Sequence, residues 1–370
     1  MSIIKKSWYI LGLLVIVAMA LTACQQAEPE VVEVEKIVEV EKIVEVEKIV
    51  EVPAEVEEAP KDFKILFHDG GWGTLQILNH IAMLMIENGY GYPVEEITLS
   101  TDVMKQSLPL GDVHVNMELW RMNSQEWYNE NTANGSLVDL GQSFERSAQG
   151  WYVPTYTAEA EGLVTIQDVV DRPDLFPDPE DASKGLWVNC KIGWNCQKIL
   201  RVKAAFYGMD EDTGWNVMEP GEGGAIAAAI AGAYAREEPF LSYYWEPTAV
   251  TAAYDLMLLE EEPYSDECWA EIIAATNEEP FGTVTRSCAF QQFDIHKGVW
   301  GGLLDNAPEA VAFLKNMFVG NSRIGELDGW MTDNEATPAD TALYFLQTYP
   351  EQWKEWVPED VAAKIEAALP

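Results

Sequence analysis

The chain is short of basic residues. Over 370 residues, 23 Lys and Arg stand against 62 Asp and Glu, a formal charge of −39. So acidic a surface excludes nucleic acid as a partner and gives no electrostatic attraction to an anionic membrane. It does not by itself name a cationic ligand, because most of those carboxylates are simply solvated. Histidine is scarcer still: His68, His80, His114 and His296 form no ligand-like cluster, and the cysteines lack CxxC spacing, so no metal is expected. There is no Gly-x-Ser-x-Gly elbow, no His-Glu-x-x-His and no positioned Cys/His pair, so no enzyme is expected. The glycine-rich run His68-Asp69-Gly70-Gly71-Trp72-Gly73 matches neither a dinucleotide fingerprint nor a P-loop, and no cofactor is expected. Beyond the N-terminus no stretch is long and apolar enough to span a membrane.

The N-terminus reads as an export signal. Lys5 and Lys6 precede an apolar run from Trp8 to Ala23, too short for a spanning helix. Leu21-Thr22-Ala23-Cys24 resembles the lipobox of bacterial lipoproteins. The resemblance implies a signal peptide at 1–23, lipidation of Cys24 and an extracytoplasmic body tethered to the cell membrane. From Val32 to Ile49 the unit Val-Glu-Val-Glu-Lys-Ile occurs three times, and Pro53 and Pro60 follow. Residues 24–60 therefore read as a stalk, with a reach on the order of 100 Å if extended.

Four cysteines remain: Cys190, Cys196, Cys268 and Cys288. An even count in an exported chain favours two disulfides, and three pairings are open. Closeness in sequence favours Cys190–Cys196, which leaves Cys268–Cys288. The segment Cys190-Lys191-Ile192-Gly193-Trp194-Asn195-Cys196 then becomes a framed loop before a helix over 197–207 that stops at Gly208. A Trp face attracts cations and a helix start attracts anions.

The body alternates strands and helices, which implies α/β layers with mostly parallel sheets. Strands are expected at 63–67, 97–100, 112–120 and 240–247. Thr74 is expected to cap a helix that ends at Gly89. The segment 151–156 reads as an extended crossing. Helices are expected over 221–236, 308–318, 338–349 and 358–369. Trp120 and Trp245 end strands, where ligands bind in open α/β sheets. With Trp194 they offer three faces that could enclose a quaternary ammonium. Trp72, in the first glycine-rich turn, is a candidate fourth wall. Trp127, Trp151, Trp187, Trp215, Trp269, Trp300, Trp330, Trp353 and Trp356 are expected in core or surface positions.

From Lys61 to about Leu369 the chain resembles the glycine betaine/proline betaine substrate-binding proteins of ABC transporters. The resemblance rests on Cys190–Cys196, on Tyr243-Tyr244-Trp245-Glu246-Pro247 and on the strand Asn116–Trp120. It implies a two-lobed type II periplasmic binding-protein fold, with lobe one at 61–157 plus 286–370, lobe two at 158–285, and a hinge near 153–156 and 287. It implies a cage of Trp120, Trp194 and Trp245, with the ligand carboxylate on the N–H groups of Asn195 and Cys196. Implied partners are a small zwitterionic or cationic ligand, a permease and its ATPase. The family's carboxylate-binding His is replaced by Ser124, with Asn123 beside it. Glu118 shares a strand face with Trp120, and a carboxylate there favours a pure cation such as choline over a betaine, which keeps choline or carnitine as the rival ligand. Otherwise it faces solvent or pairs with Arg121 or another base. An alternative of another class is a tethered carbohydrate-binding or carbohydrate-active protein whose Trp faces stack on sugars.

Overall fold

The computed structural model describes residues 61–370. The expected signal peptide, Cys24 and the stalk lie outside the described residues. Among the described residues, no helix is long and apolar enough to cross a membrane.

Among the described residues, ten strands form two five-stranded sheets. The first sheet contains β1 (Ile65–Asp69), β2 (Val94–Thr98), β3 (Val115–Leu119), β4 (Leu137–Ser147) and β10 (Phe293–Trp300), in the order β2-β1-β3-β10-β4. The second contains β5 (Gln149–Pro154), β6 (Gly185–Val188), β7 (Trp215–Met218), β8 (Leu241–Trp245) and β9 (Leu256–Leu258), in the order β7-β6-β8-β5-β9. In each sheet the first three strands are parallel: β1 with β2 and β3, β6 with β7 and β8. The other strands pair antiparallel, β10 with β3 and β4, and β5 with β8 and β9. The antiparallel strands are the ones near the two crossings between sheets. β4 runs almost directly into β5, so the chain changes sheet between Ser147 and Gln149, upstream of the division expected at 157. It returns to the first sheet at Phe293, beyond the expected 286. The expected hinge segment 153–156 lies at the end of β5 and the start of the helix Thr155–Glu161.

Burial explains the strand sequences. β3 and β8 are buried at every position, because helices cover both faces of a parallel sheet. Each sheet has its own core. The helix Gly73–Tyr90 lays Leu75, Leu78, Ile81, Ala82 and Met85 on the first sheet at helical spacing. Trp151, Trp187 and Trp215 fill the core of the second sheet, and Trp353 and Trp356 that of the first. Each such indole contributes several kcal/mol of apolar burial, on the order of 3.

Both ends of the first long helix differ from the sequence reading. The first long helix continues past Gly89 to a cap at Gly91, whose φ is 74°. Gly89 serves close packing instead: a Cβ there would lie 2.7 Å from Cγ1 of Val361. The residue before that helix is Trp72 in extended conformation, and Thr74 is buried in the first turn.

Candidate functional site

Trp72 follows β1, Trp120 follows β3, Trp194 follows β6 and Trp245 ends β8. These are corresponding positions in the two sheets, at the carboxyl ends of the parallel strands where the strand order reverses. The two sets of strand ends face each other, and a cavity lies between them. Trp72, Glu118, Trp120, Asn123, Ser124, Trp194, Asn195, Cys196 and Trp245 all line it.

The first sheet's half is built on carboxylates. Asp69 accepts from the backbone N–H of Gly71 at 2.7 Å and from the Thr98 hydroxyl at 3.0 Å, which fixes the turn that presents Trp72. That ring lies over Gly70, where a Cβ would come within 1.9 Å of it, so only glycine fits. Glu118 is buried, 1 % exposed, and its Oε2 accepts from two indoles: Trp72 Nε1 at 2.6 Å and Trp120 Nε1 at 3.1 Å. Its Oε1 is buried with no hydrogen-bond partner. Burial pushes the Glu118 carboxyl up to about 7, against the pull of the nearby Thr74 hydroxyl and of the two indole N–H groups. Glu118 thus neither reaches solvent nor pairs with Arg121, whose guanidinium sits 6.0 Å from the Tyr128 ring. His68 is buried, donates from Nε2 to the Leu99 carbonyl at 3.1 Å and accepts at Nδ1 from Asn116. Burial lowers its pKa to about 4, so it is neutral.

The second sheet's half centres on Trp194. Its ring meets Trp72 edge to face at 5.4 Å and 84°, and Trp245 at 5.4 Å and 85°. Such contacts make the corners of a box rather than a flat platform. Trp194 Nε1 donates to the Gly70 carbonyl at 2.8 Å, from one sheet's half to the other's. Trp245 is backed by Tyr244 at 4.6 Å and Tyr243 at 5.9 Å, and the Tyr243 hydroxyl donates to Gln149 at 3.1 Å. The turn carrying Trp194 is closed by the Cys190–Cys196 disulfide; Cys268–Cys288 is the other bridge. The helix begins at Asn195, so Trp194 is its N-cap residue and the N–H groups of Asn195 and Cys196 belong to its unsatisfied first turn. The Asn195 side chain donates to the Asn123 carbonyl at 3.0 Å and to the Ser124 hydroxyl.

The family profile for the substrate-binding domain of ABC-type glycine betaine transport systems matches residues 65–348. The chain belongs to that family. It is 22% identical over 288 residues to the trimethylamine N-oxide-binding protein of Pelagibacter ubique, covering 76% of this chain and 87% of that one. Its fold is similar to a glycine betaine/L-proline-binding protein of Borrelia burgdorferi, with TM-score 0.63, 19% identity, and 82% and 100% of the two chains covered. It is also similar to an ABC-transporter choline-binding protein in complex with choline, with TM-score 0.65, 17% identity, and coverage of 83% and 98%. The fold is therefore the two-lobed binding-protein fold, and the family is a solute-binding component of transporters.

Further residues line the cavity that the sequence reading did not single out: His68, Thr101, Met104, Asn116, Leu119, Arg121, Trp127 and Tyr243. Tyr243 was legible, since it lies two residues before Trp245 on one strand and so shares its face. Trp127 donates from Nε1 to the Lys105 carbonyl and reaches the cavity wall from a helix, which spacing alone does not signal. Among the described residues no cluster of His, Cys, Asp or Glu could hold a metal ion.

Proposed function

We propose that this chain is the receptor of an ABC importer, and that it captures a small, fully methylated ammonium solute between Trp72, Trp120, Trp194 and Trp245 and delivers it to a permease. The observation that carries the reading is the box itself: four indoles from corresponding strand ends, three of them joined edge to face, around a cavity that also holds a buried carboxylate. A methylated ammonium cannot donate a hydrogen bond, so ring faces and fit are what can hold it. Each desolvated ring contributes about 1–2 kcal/mol. After the cost of association this corresponds to roughly micromolar binding.

Glycine betaine and proline betaine fit the class, with their carboxylate at the first turn of the Asn195–Tyr207 helix. Carnitine also brings a carboxylate, on a longer tail; choline and trimethylamine N-oxide, the ligand named for the Pelagibacter relative, fit the head alone. Closure by hinge bending around the β4–β5 crossing and the return to β10 belongs to this proposal. So does anchoring through lipidated Cys24. The test is calorimetric titration of the detergent-solubilised full chain with these solutes in parallel. At least one binds in the micromolar range, and Trp194→Ala weakens it at least about tenfold. An unchanged affinity in that variant, or no binding by any of them, sinks the cage.

A further inference from the structure

We propose that Glu118 sets the charge of the ligand: it is a fixed counter-charge that makes this cage select a quaternary ammonium cation with a neutral tail over a zwitterion. The inference rests on the cage reading above and deepens it.

The geometry is unusual for a carboxylate. Glu118 is buried in the wall of the cavity, and only one of its oxygens is engaged, by the indole N–H groups of Trp72 and Trp120. The other oxygen has no partner. No ion pair among the described residues includes Glu118. None of the cations around the cleft pairs with Glu118. Lys198 pairs with Asp102 at 2.5 Å; Lys191 pairs with Glu222 at 3.8 Å and holds its Nζ 5.6 Å from the centre of the Trp194 ring. Lys297 donates to the Gln142 carbonyl at 2.5 Å, and Arg121 packs on Tyr128. His68, on the neighbouring strand β1, is neutral. The other charged group acting on Glu118 is Asp328, a second buried carboxylate, which adds repulsion rather than relief.

A buried carboxylate without a cation is costly, and the cost is recovered when a cation arrives. A methylammonium head does this without needing a donor. It gains twice, because an indole whose N–H is bound by an anion has a more negative ring face, and two of the four indoles are in that state. A zwitterion brings a second carboxylate into the same small cavity. The helix start at Asn195 can offset it only in part, since the dipole amounts to roughly half a charge.

The test uses the detergent-solubilised full chain at pH 8, where Glu118 is ionised, with choline and glycine betaine as probes. Wild type is expected to bind choline at least about tenfold tighter than glycine betaine. Glu118→Gln keeps an oxygen for the indoles and removes only the charge. It is expected to weaken choline about tenfold or more and to leave glycine betaine within about twofold, or tighter. Near-UV circular dichroism of the indoles should not change. Equal losses on both ligands would assign Glu118 to holding the indoles and overturn the proposal, as would equal affinities in the variant and wild type, or a wild type that prefers glycine betaine. If Glu118→Gln does not fold, Glu118→Asp keeps the charge on a shorter arm and must keep the choline preference; its loss in folded protein overturns the proposal. Failure of the cage reading looks different: wild type then binds none of the solutes titrated above, whereas a wild type that binds another of them but neither choline nor glycine betaine overturns this proposal alone.

Discussion

Glu118 and His68 line one cavity and respond to pH in opposite senses. Burial raises Glu118 to about 7, so the folded chain holds its proton more tightly than the unfolded chain does. The stability this gives is fully present below the ordinary carboxylate range and is lost as pH rises through about 7. Burial lowers His68 to about 4, so its contribution is present above the ordinary histidine value and is lost as pH falls towards 4. Replacing Glu118 by Gln should therefore leave stability near pH 4.5 almost unchanged. The variant should gain on wild type as pH rises, and the gap should level off above pH 7 at no more than about 3 kcal/mol. Urea melts of ligand-free protein across this range measure the gap. A gap that does not vary with pH would mean that Glu118 does not titrate there.

At the scale of the element, the turn from Cys190 to Cys196 does two things. It fixes Trp194 as the N-cap residue, and it aims the first turn of the following helix into the cavity. Its backbone is also held from outside: Ile192 N–H donates to the Pro220 carbonyl at 2.9 Å, and Thr101 N–H donates to the Gly193 carbonyl at 3.1 Å. Replacing both cysteines by serine should cost about tenfold in ligand affinity while far-UV circular dichroism stays the same, because the loop's freedom is restored but the helix remains. Titration of the double variant checks this, and full affinity would show that the backbone contacts alone suffice. This turn was legible in the sequence, since two cysteines, a glycine and a tryptophan before a helical run are local features. The same holds for Trp120 and Trp245, which strand ends reveal, and for Glu118, placed beside Trp120 by the two-residue period. What was not legible depends on non-local pairing. The antiparallel partners of β5 and β10 lie far away in sequence, and nothing in Gln149–Pro154 says which sheet it joins. Gly89 resembles a cap in sequence because a glycine needed for close packing looks the same as one needed for positive φ.

At the scale of the molecule, contacts run across the cleft on several sides of the cavity. Lys198 pairs with Asp102, Trp269 Nε1 donates to the Met122 carbonyl at 2.8 Å, and Ala249 N–H donates to Asp328 Oδ2 at 2.6 Å. Asp328 does not line the cavity. It is nonetheless buried, at the start of the short helix Ala249–Ala253, and it ties the Asn321–Asp333 helix of the first lobe to the second. Asp328→Ala should therefore weaken ligand binding several-fold, about five- to tenfold, by favouring the open form. Small-angle scattering should then show a larger radius of gyration in the ligand-free variant than in wild type. The Lys198–Asp102 pair is partly exposed, so Lys198→Ala should change affinity by no more than about fivefold, and less at high salt. An equal effect from both variants would argue that the cleft closes on the sum of its rim contacts and not on Asp328.

Each sheet supplies two of the four indoles, from corresponding strands, and one of them donates its ring N–H in a hydrogen bond to the other side. Neither half is a weaker version of the whole; half a box has no inside. On the proposed function the molecule works as a coincidence detector, in which occupancy and shape are a single signal, and a component that senses shape alone can count filled receptors without ever touching the solute.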